Sequence, residues 1–191
     1  MKFIIFILII SSIAGCDLFE TREAEQPDAP RDDFQPAVTT DLLIQNLVNS
    51  LRDKNVTNYL ACFSDSSFSN RSFRFSASSE ALSQFPELAQ NWSLENEEQY
   101  FLNMANKIKD DLPITLSLSN VVSSTQGDSV IYSAMYILNV PHSESFPVIY
   151  QGDLQFTMIR DSRTVYVISY WQDNKPDEGS SWSELKGHFY Q

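Results

Sequence analysis

After Pro113 the apolar residues of this chain stop recurring every three or four positions and begin to alternate. That change of period constrains the fold more than any other feature of the sequence. Ile114, Leu116 and Leu118 alternate with Thr115, Ser117 and Ser119. Gly127-Asp128 then turns the chain into Val130, Tyr132, Ala134, Tyr136, Leu138 and Val140. Beyond a loop over residues 141–147, Val148, Tyr150, Gly152, Leu154, Phe156 and Met158 share one face, and Gln151, Asp153, Gln155 and Thr157 take the other. Asp161-Ser162 makes a tight turn into a last apolar stretch over 165–171. Successive side chains of a strand point to opposite sides. Four alternating stretches in a row therefore predict an antiparallel meander with one buried and one solvated face.

The first half of the domain is helical in pattern. Thr39-Thr40-Asp41 offers capping side chains ahead of Leu42, Leu43, Leu47, Val48 and Leu51, an apolar stripe at helical spacing. A second short helix is predicted over 56–63, with Asn55 as its cap and Val56, Tyr59, Leu60 and Phe63 on one side; Cys62 falls here as a buried, inert thiol. Phe73-Arg74-Phe75-Ser76 reads as a short strand, and 78–90 as a helical turn interrupted at Pro86. Ser93 caps a further helix. Its Glu95, Glu97 and Glu98 suit the positive end, Tyr100, Phe101, Met104, Ala105 and Ile108 form the buried face, and Lys107 and Lys109 suit the last turn. Helices followed by a long meander define an α+β domain whose curved antiparallel sheet wraps the helices.

The N-terminus carries an address. Lys2 precedes an unbroken apolar run over residues 3–10, then Ser11-Ser12-Ile13-Ala14-Gly15 leads to Cys16. A bilayer-spanning helix needs about 20 apolar residues, so this run reads as a secretory signal. Ile13-Ala14-Gly15-Cys16 resembles the lipobox of bacterial lipoproteins, in which the cysteine receives a diacylglycerol, palmitate chains included, and becomes the mature N-terminus. The alternative is an ordinary signal with an incidental cysteine. Between Asp17 and Asp33 stand seven acids, two bases, Pro27 and Pro30, with nothing strongly apolar after Phe19. Such a segment is expected to be a disordered spacer. The expected organisation is a signal peptide over 1–15, the lipidated Cys16 and acidic tether over 16–35, and the folded domain with a C-terminal extension over 36–191. The expected location is a bacterial cell envelope, with the domain outside the cytoplasm. Asp17 resembles an inner-membrane retention signal of enteric bacteria, and the acidic stretch resembles surface-export signals of Bacteroidota, so either membrane stays open.

Composition removes several classes of function. With Lys+Arg 13 against Asp+Glu 25 the formal charge is -12, which repels nucleic acid. Thirteen Phe, eight Tyr and three Trp are more than a solvated coil carries, and two cysteines build neither a disulfide framework nor a four-thiolate zinc site. No His pair, Cys pair, acidic calcium loop or Gly-rich phosphate loop occurs, so no metal and no cofactor are expected. The run over 173–177 has oxygen donors interrupted by Lys175 and Pro176, and reads as a turn.

The order of elements over about 36–173 resembles the NTF2-like (SnoaL-like, cone-shaped) superfamily. The residues that carry the resemblance are the helical pair 42–51 and 56–63 with Phe68 just beyond. At the other end, Gly152-Asp153-Leu154-Gln155-Phe156 is followed by Val165-Tyr166-Val167-Ile168-Ser169-Tyr170-Trp171. The resemblance implies a sheet curved around the N-terminal helices to enclose a cavity. Such cavities hold small molecules in some members and acid–base enzymes in others, while many members only bind or dimerise. Residues 182–187 lie beyond the usual core, as a lid or packing segment.

Tyr59, Trp92, Tyr100, Tyr132, Tyr136 and Tyr150 are the candidates to line such a pocket, with simple core packing as the alternative. His142, in an exposed loop, His188, near the chain end, and Asp153, on the solvated strand face, are the candidate acid–base groups. None has an evident partner, so no catalytic residue is assigned. The reading that follows is a non-catalytic, membrane-anchored protein binding a small apolar ligand or an envelope protein partner. Two alternatives stand beside it: an isomerase, dehydratase or hydrolase using the cone, and a dimeric scaffold pairing its exposed sheet face. Ionisable groups converging inside the cone would favour the enzyme; a packed interior would favour an interaction role.

Overall fold

The computed structural model describes residues 33–175 and 178–190; the expected signal segment, Cys16 and the expected spacer through residue 32 lie outside them. Thr39 opens the first helix as its sequence predicts, its hydroxyl accepting the Leu42 N–H at 3.3 Å. Helix α1 (Thr40–Arg52) buries Leu43, Leu47 and Leu51. Lys54 ends the turn that follows in a left-handed conformation, φ 53°, and its ammonium donates to the carbonyls of Lys109, Asp110 and Leu112. Helix α2 (Val56–Leu60) is capped by Asn55, whose Oδ1 accepts the Asn58 N–H. It stops earlier than the apolar spacing predicts. The Cys62 and Phe63 N–H groups close tight turns on Tyr59 and Leu60, and Ser64 N–H already donates to Ile168 in the sheet. The pull of the sheet edge ends the helix. Cys62 is fully buried, and burial raises its thiol far above the ordinary range.

A short strand β1 (Arg74–Ser76), helix α3 (Ser79–Gln84) and a 3₁₀ turn (Pro86–Ala89) lead to helix α4 (Leu94–Ala105). The Asn96 side chain takes the Ser93 N–H at the start of α4. The meander is β2 (Thr115–Gln126), β3 (Ser129–Asn139), β4 (Ile149–Arg160) and β5 (Tyr166–Asn174). Strand order is β1-β5-β4-β3-β2, antiparallel throughout except that β1 lies parallel to β5. Register shifts between Ser119 and Val122 and between Thr157 and Met158 supply the bulges that bend such a sheet. The α+β architecture, a curved five-stranded sheet with helices on its inner face, is the one the change of period predicts.

Alternation places Tyr132, Ala134, Tyr136, Leu138, Tyr150, Leu154, Phe156 and Trp171 inside. Asp153 is exposed on the outer face, as its polar neighbours predict. Three details depart from the sequence reading. First, β5 runs through Asn174, so Asp173 is no turn residue: it alternates with Trp171 onto the inner face and is buried. Second, His142 is buried, because its ring nitrogens meet the Pro147 carbonyl and the Glu144 N–H within its own loop and its ring packs on Phe146 and Phe189. Third, of the two readings for the C-terminal segment, lid or packing segment, the structure takes the second and extends it to a core helix, α5 (Trp182–Tyr190), with Trp182, Leu185 and, against expectation for a charge, Lys186 fully buried.

Candidate functional site

Helix α5 packs on the inner face of the sheet, Trp182 lying against Trp171 and Tyr136. Ser181-Trp182-Ser183-Glu184 is a capping box: Glu184 accepts the Ser181 N–H at 2.8 Å, and Ser181 Oγ accepts the Glu184 N–H. The helix then sends Trp182, Leu185, Lys186 and Phe189 inward at helical spacing. Trp182 stands edge-on to Trp171, with ring centroids 4.6 Å apart, and its Nε1 donates to Tyr100 Oη at 3.0 Å. Its backbone N–H donates to Tyr136 Oη at 2.6 Å, and Tyr136 in turn donates to Asp173 at 2.8 Å. Asp173 also accepts the Ser183 N–H at 2.7 Å and the Ser183 hydroxyl. Burial raises the Asp173 pKa above its ordinary value, opposed by these hydrogen bonds. The first turn of α5 is thus tied to the end of β5 through an anion at its positive pole.

One turn further on lies a buried ion pair. Lys186 Nζ donates to both oxygens of Glu97, and both side chains are completely shielded from solvent. Glu97 is held from its other side by two neutral donors, Tyr59 Oη at 2.6 Å and Trp92 Nε1 at 2.6 Å. The ammonium sits among aromatic rings: 4.0 Å from the Trp171 centroid, 4.3 Å from Phe75, 4.9 Å from Tyr100 and 5.5 Å from Trp92. Each ring presents a negative face to a cation, and a desolvated contact of this kind contributes about 2 kcal/mol. Burial pulls the Lys186 pKa down to about 8 while Glu97 pulls it up. Tyr59, beside the carboxylate, is raised well above its ordinary value, first by burial and then by the Glu97 charge.

The six aromatic candidates divide accordingly. Tyr59, Trp92 and Tyr100 surround the Glu97–Lys186 pair, and Tyr136 receives the N-terminus of α5. Tyr150 is fully buried on β4 with its hydroxyl unpartnered. Tyr132 lies apart, stacked on Phe156. His188 is half-buried, stacked face to face on Phe146 with centroids 4.3 Å apart and edge-on to Phe85; it does not face Glu97 or Asp173 in any contact. Asp153 is out on the solvated face.

Glu97, Lys186 and Asp173 are the buried charged groups of this centre that sequence reasoning missed. Their positions carried a signal. Glu97 precedes Tyr100, Phe101 and Met104 by three, four and seven residues, inside the apolar stripe of α4. Lys186 occupies the same kind of position after Trp182 and before Phe189. A lone charge on an apolar stripe needs a partner, and each of these two is the other's.

Surface clefts exist away from this centre. One of about 530 Å³, beside the 64–73 loop, is lined by Phe68, Ser72, Glu95, Glu98 and Arg163 among others. Among the described residues no group of three His, Cys, Asp or Glu converges as a metal site, and no helix is long and apolar enough to cross a membrane.

No known family profile matches the sequence, and no curated protein matches it. Solved structures match by shape. An NTF2-like superfamily protein from Salmonella enterica serovar Typhimurium is 14% identical over 72% of this chain and 89% of its own, with a TM-score of 0.53. An NTF2-like family protein from Streptomyces avermitilis is 7% identical over 72% of this chain and 94% of its own, at 0.55. An NTF2-like protein of unknown function from Pseudomonas putida is 8% identical over 72% and 84%, at 0.51. At such identities the likeness is one of fold. The described domain has the NTF2-like fold, with its concave side occupied by its own C-terminal helix.

Proposed function

We propose that the protein is a lipid-anchored, non-catalytic component of a bacterial cell envelope, and that its NTF2-like domain engages an envelope protein partner. The observation that carries this reading is the occupancy of the concave side by α5. The acid–base groups there are spent on one another: Glu97 on Lys186, Asp173 on Tyr136 and Ser183. A general base must reach a substrate proton, and these carboxylates are enclosed by the chain's own side chains. The same enclosure weighs against a small apolar ligand at the centre of the cone and leaves the outer surface for binding. Lipidation at Cys16 rests on the lipobox-like residues 13–16.

Two measurements test it. Detergent partitioning of the full chain expressed in a bacterium should place the wild type in the detergent phase and Cys16→Ser in the aqueous phase. A Cys16→Ser protein that still fractionates with membranes would overturn the anchor. Native mass spectrometry of the purified protein should show the mass of the lipidated chain alone; a stoichiometric bound small molecule would return the small-ligand reading.

A second reading, a dimeric scaffold, is favoured by the outer sheet face. Register places Val122, Met135, Ile137 and Ile149 on that side, 65%, 47%, 54% and 56% exposed. Large apolar side chains exposed on one sheet face are what a contact surface presents. Sedimentation equilibrium should then give a dimer that Ile137→Lys converts to a monomer. A monomeric wild type at high concentration refutes the scaffold.

A further inference from the structure

Residues 141–147, between β3 and β4, form a surface strap: Ser143, Glu144, Ser145 and Pro147 are exposed, while His142 is buried and Phe146 half-buried. The strap spans the C-terminal ends of α4 and α5. His142 makes a single backbone bridge with Ile108, just beyond α4, and Glu144 pairs with Lys107 at 3.1 Å. On the α5 side the His142 ring stands edge-on to Phe189, with centroids 5.4 Å apart, and Phe146 carries His188 face to face. Beside the strap lies a cleft of about 440 Å³, with Asn103, Lys107, Phe146, His188 and Phe189 among its walls.

His142 fits the closed strap in one protonation state. Its Nδ1 accepts the Glu144 N–H at 3.2 Å, so the ring is neutral; the proton sits on Nε2, which donates to the Pro147 carbonyl at 2.9 Å. An imidazolium has two donors and no acceptor. A proton added at Nδ1 turns the Glu144 bond into a contact between two donors, and the bond is forfeited. The charges around the ring give that proton little shelter. Glu144 is engaged by Lys107, which is 57% exposed. From α5, His188 would bring a second positive charge: burial lowers its pKa, the Glu184 charge opposes this, and a charge on His142 adds to it.

We propose that the 141–147 strap is an acid-released latch: protonation of His142 at Nδ1 frees the strap from the ends of α4 and α5, opens the cleft and bares Phe146 and Phe189. The proton comes from solvent, and the bond given up is the one from the Glu144 N–H. The core behind the strap stays folded. The latch needs neither the lipid anchor nor a partner protein, so it and the proposed function can fail separately.

Amide hydrogen exchange of the purified full chain, corrected for the intrinsic rate at each pH, reads the strap directly. Between about pH 7.5 and about pH 5, protection of the Val140, His142 and Glu144 amides should fall about tenfold or more, while central β3 and β4 amides keep theirs. The His142 ring nitrogens, followed by NMR, should titrate over the same range. His142→Asn offers an acceptor oxygen close to where Nδ1 stands and takes no proton, so its strap protection should not change with pH. His188→Phe should leave the response in place. Equal strap protection at both pH values overturns the latch, as does a loss that persists in His142→Asn. Should His142→Asn be loose at both pH values, the wild-type titration decides. Strap protection lost in step with the ring titration supports the latch; either one occurring without the other overturns it. Loss of protection throughout the domain at the lower pH also overturns it, since that reports unfolding and not local release.

Discussion

At the residue scale the molecule is decided by charges placed where the pattern calls for apolar side chains. Glu97 and Lys186 are both fully buried, and each leaves the other stranded if removed. Taking away one partner of a buried pair costs about 3–5 kcal/mol, whereas replacing both by well-packed apolar groups can be near neutral. Glu97→Ala should therefore lower the urea midpoint strongly. The double variant Glu97→Leu/Lys186→Met should recover most of the loss; singles costing under about 1 kcal/mol would show that the pair is solvated. His188 supplies a pH dependence. Burial against Phe146 and Phe85 lowers its pKa below the unfolded value of 6.5, with a nearby Glu184 charge opposing. A depressed folded pKa means the unfolded chain binds the proton first. The stability held above pH 6.5 is then lost as pH falls through that value toward the folded pKa. Thermal melts between pH 7.5 and 5 should show this slope, and His188→Phe should flatten it. An unchanged slope would assign the acid sensitivity to other groups.

At the element scale the decisive piece is α5. Its docking needs close approach at Gly187, where an added Cβ would overlap the ring of Phe85, itself buried between α3 and the 3₁₀ turn. A ring wedged in a core cannot yield as a flexible side-chain tip can. Gly187→Ala should thus loosen α5 despite the higher helix propensity of alanine. The expected result is a Tm several degrees lower and a red-shifted tryptophan emission as Trp182 and Trp92 gain solvent. A rise in Tm would mean that Phe85 repacks freely. The other elements follow their local chemistry more directly. Asn55 and Thr39 cap where their side chains allow, and β3 and β4 bury every second residue. The exceptions have identifiable causes. The short α2 yields its last turn to the sheet edge, and β5 runs on past Trp171 because Asp173 finds Tyr136 and Ser183 waiting inside.

At the scale of the whole molecule, the meander, the caps and the apolar stripes were legible because each depends on neighbours within one or two turns of chain. Period, capping and turn chemistry act over a few residues, and here they point one way for most of the domain. That was enough for the α+β class and for the likeness to NTF2-like proteins in element order. The aromatic set was legible as a set, but its use was not. Whether Tyr59, Trp92 and Tyr100 surround an open pocket or a filled one depends on residues 182–190, some 80 positions or more away in the chain. The character of the buried sheet face can be derived from the sequence alone, since alternation is a local code. What occupies the concave side was decided only by tertiary structure. A charge on an apolar stripe states that it needs a partner, and only the folded chain shows that the partner of Glu97 is Lys186, 89 residues later.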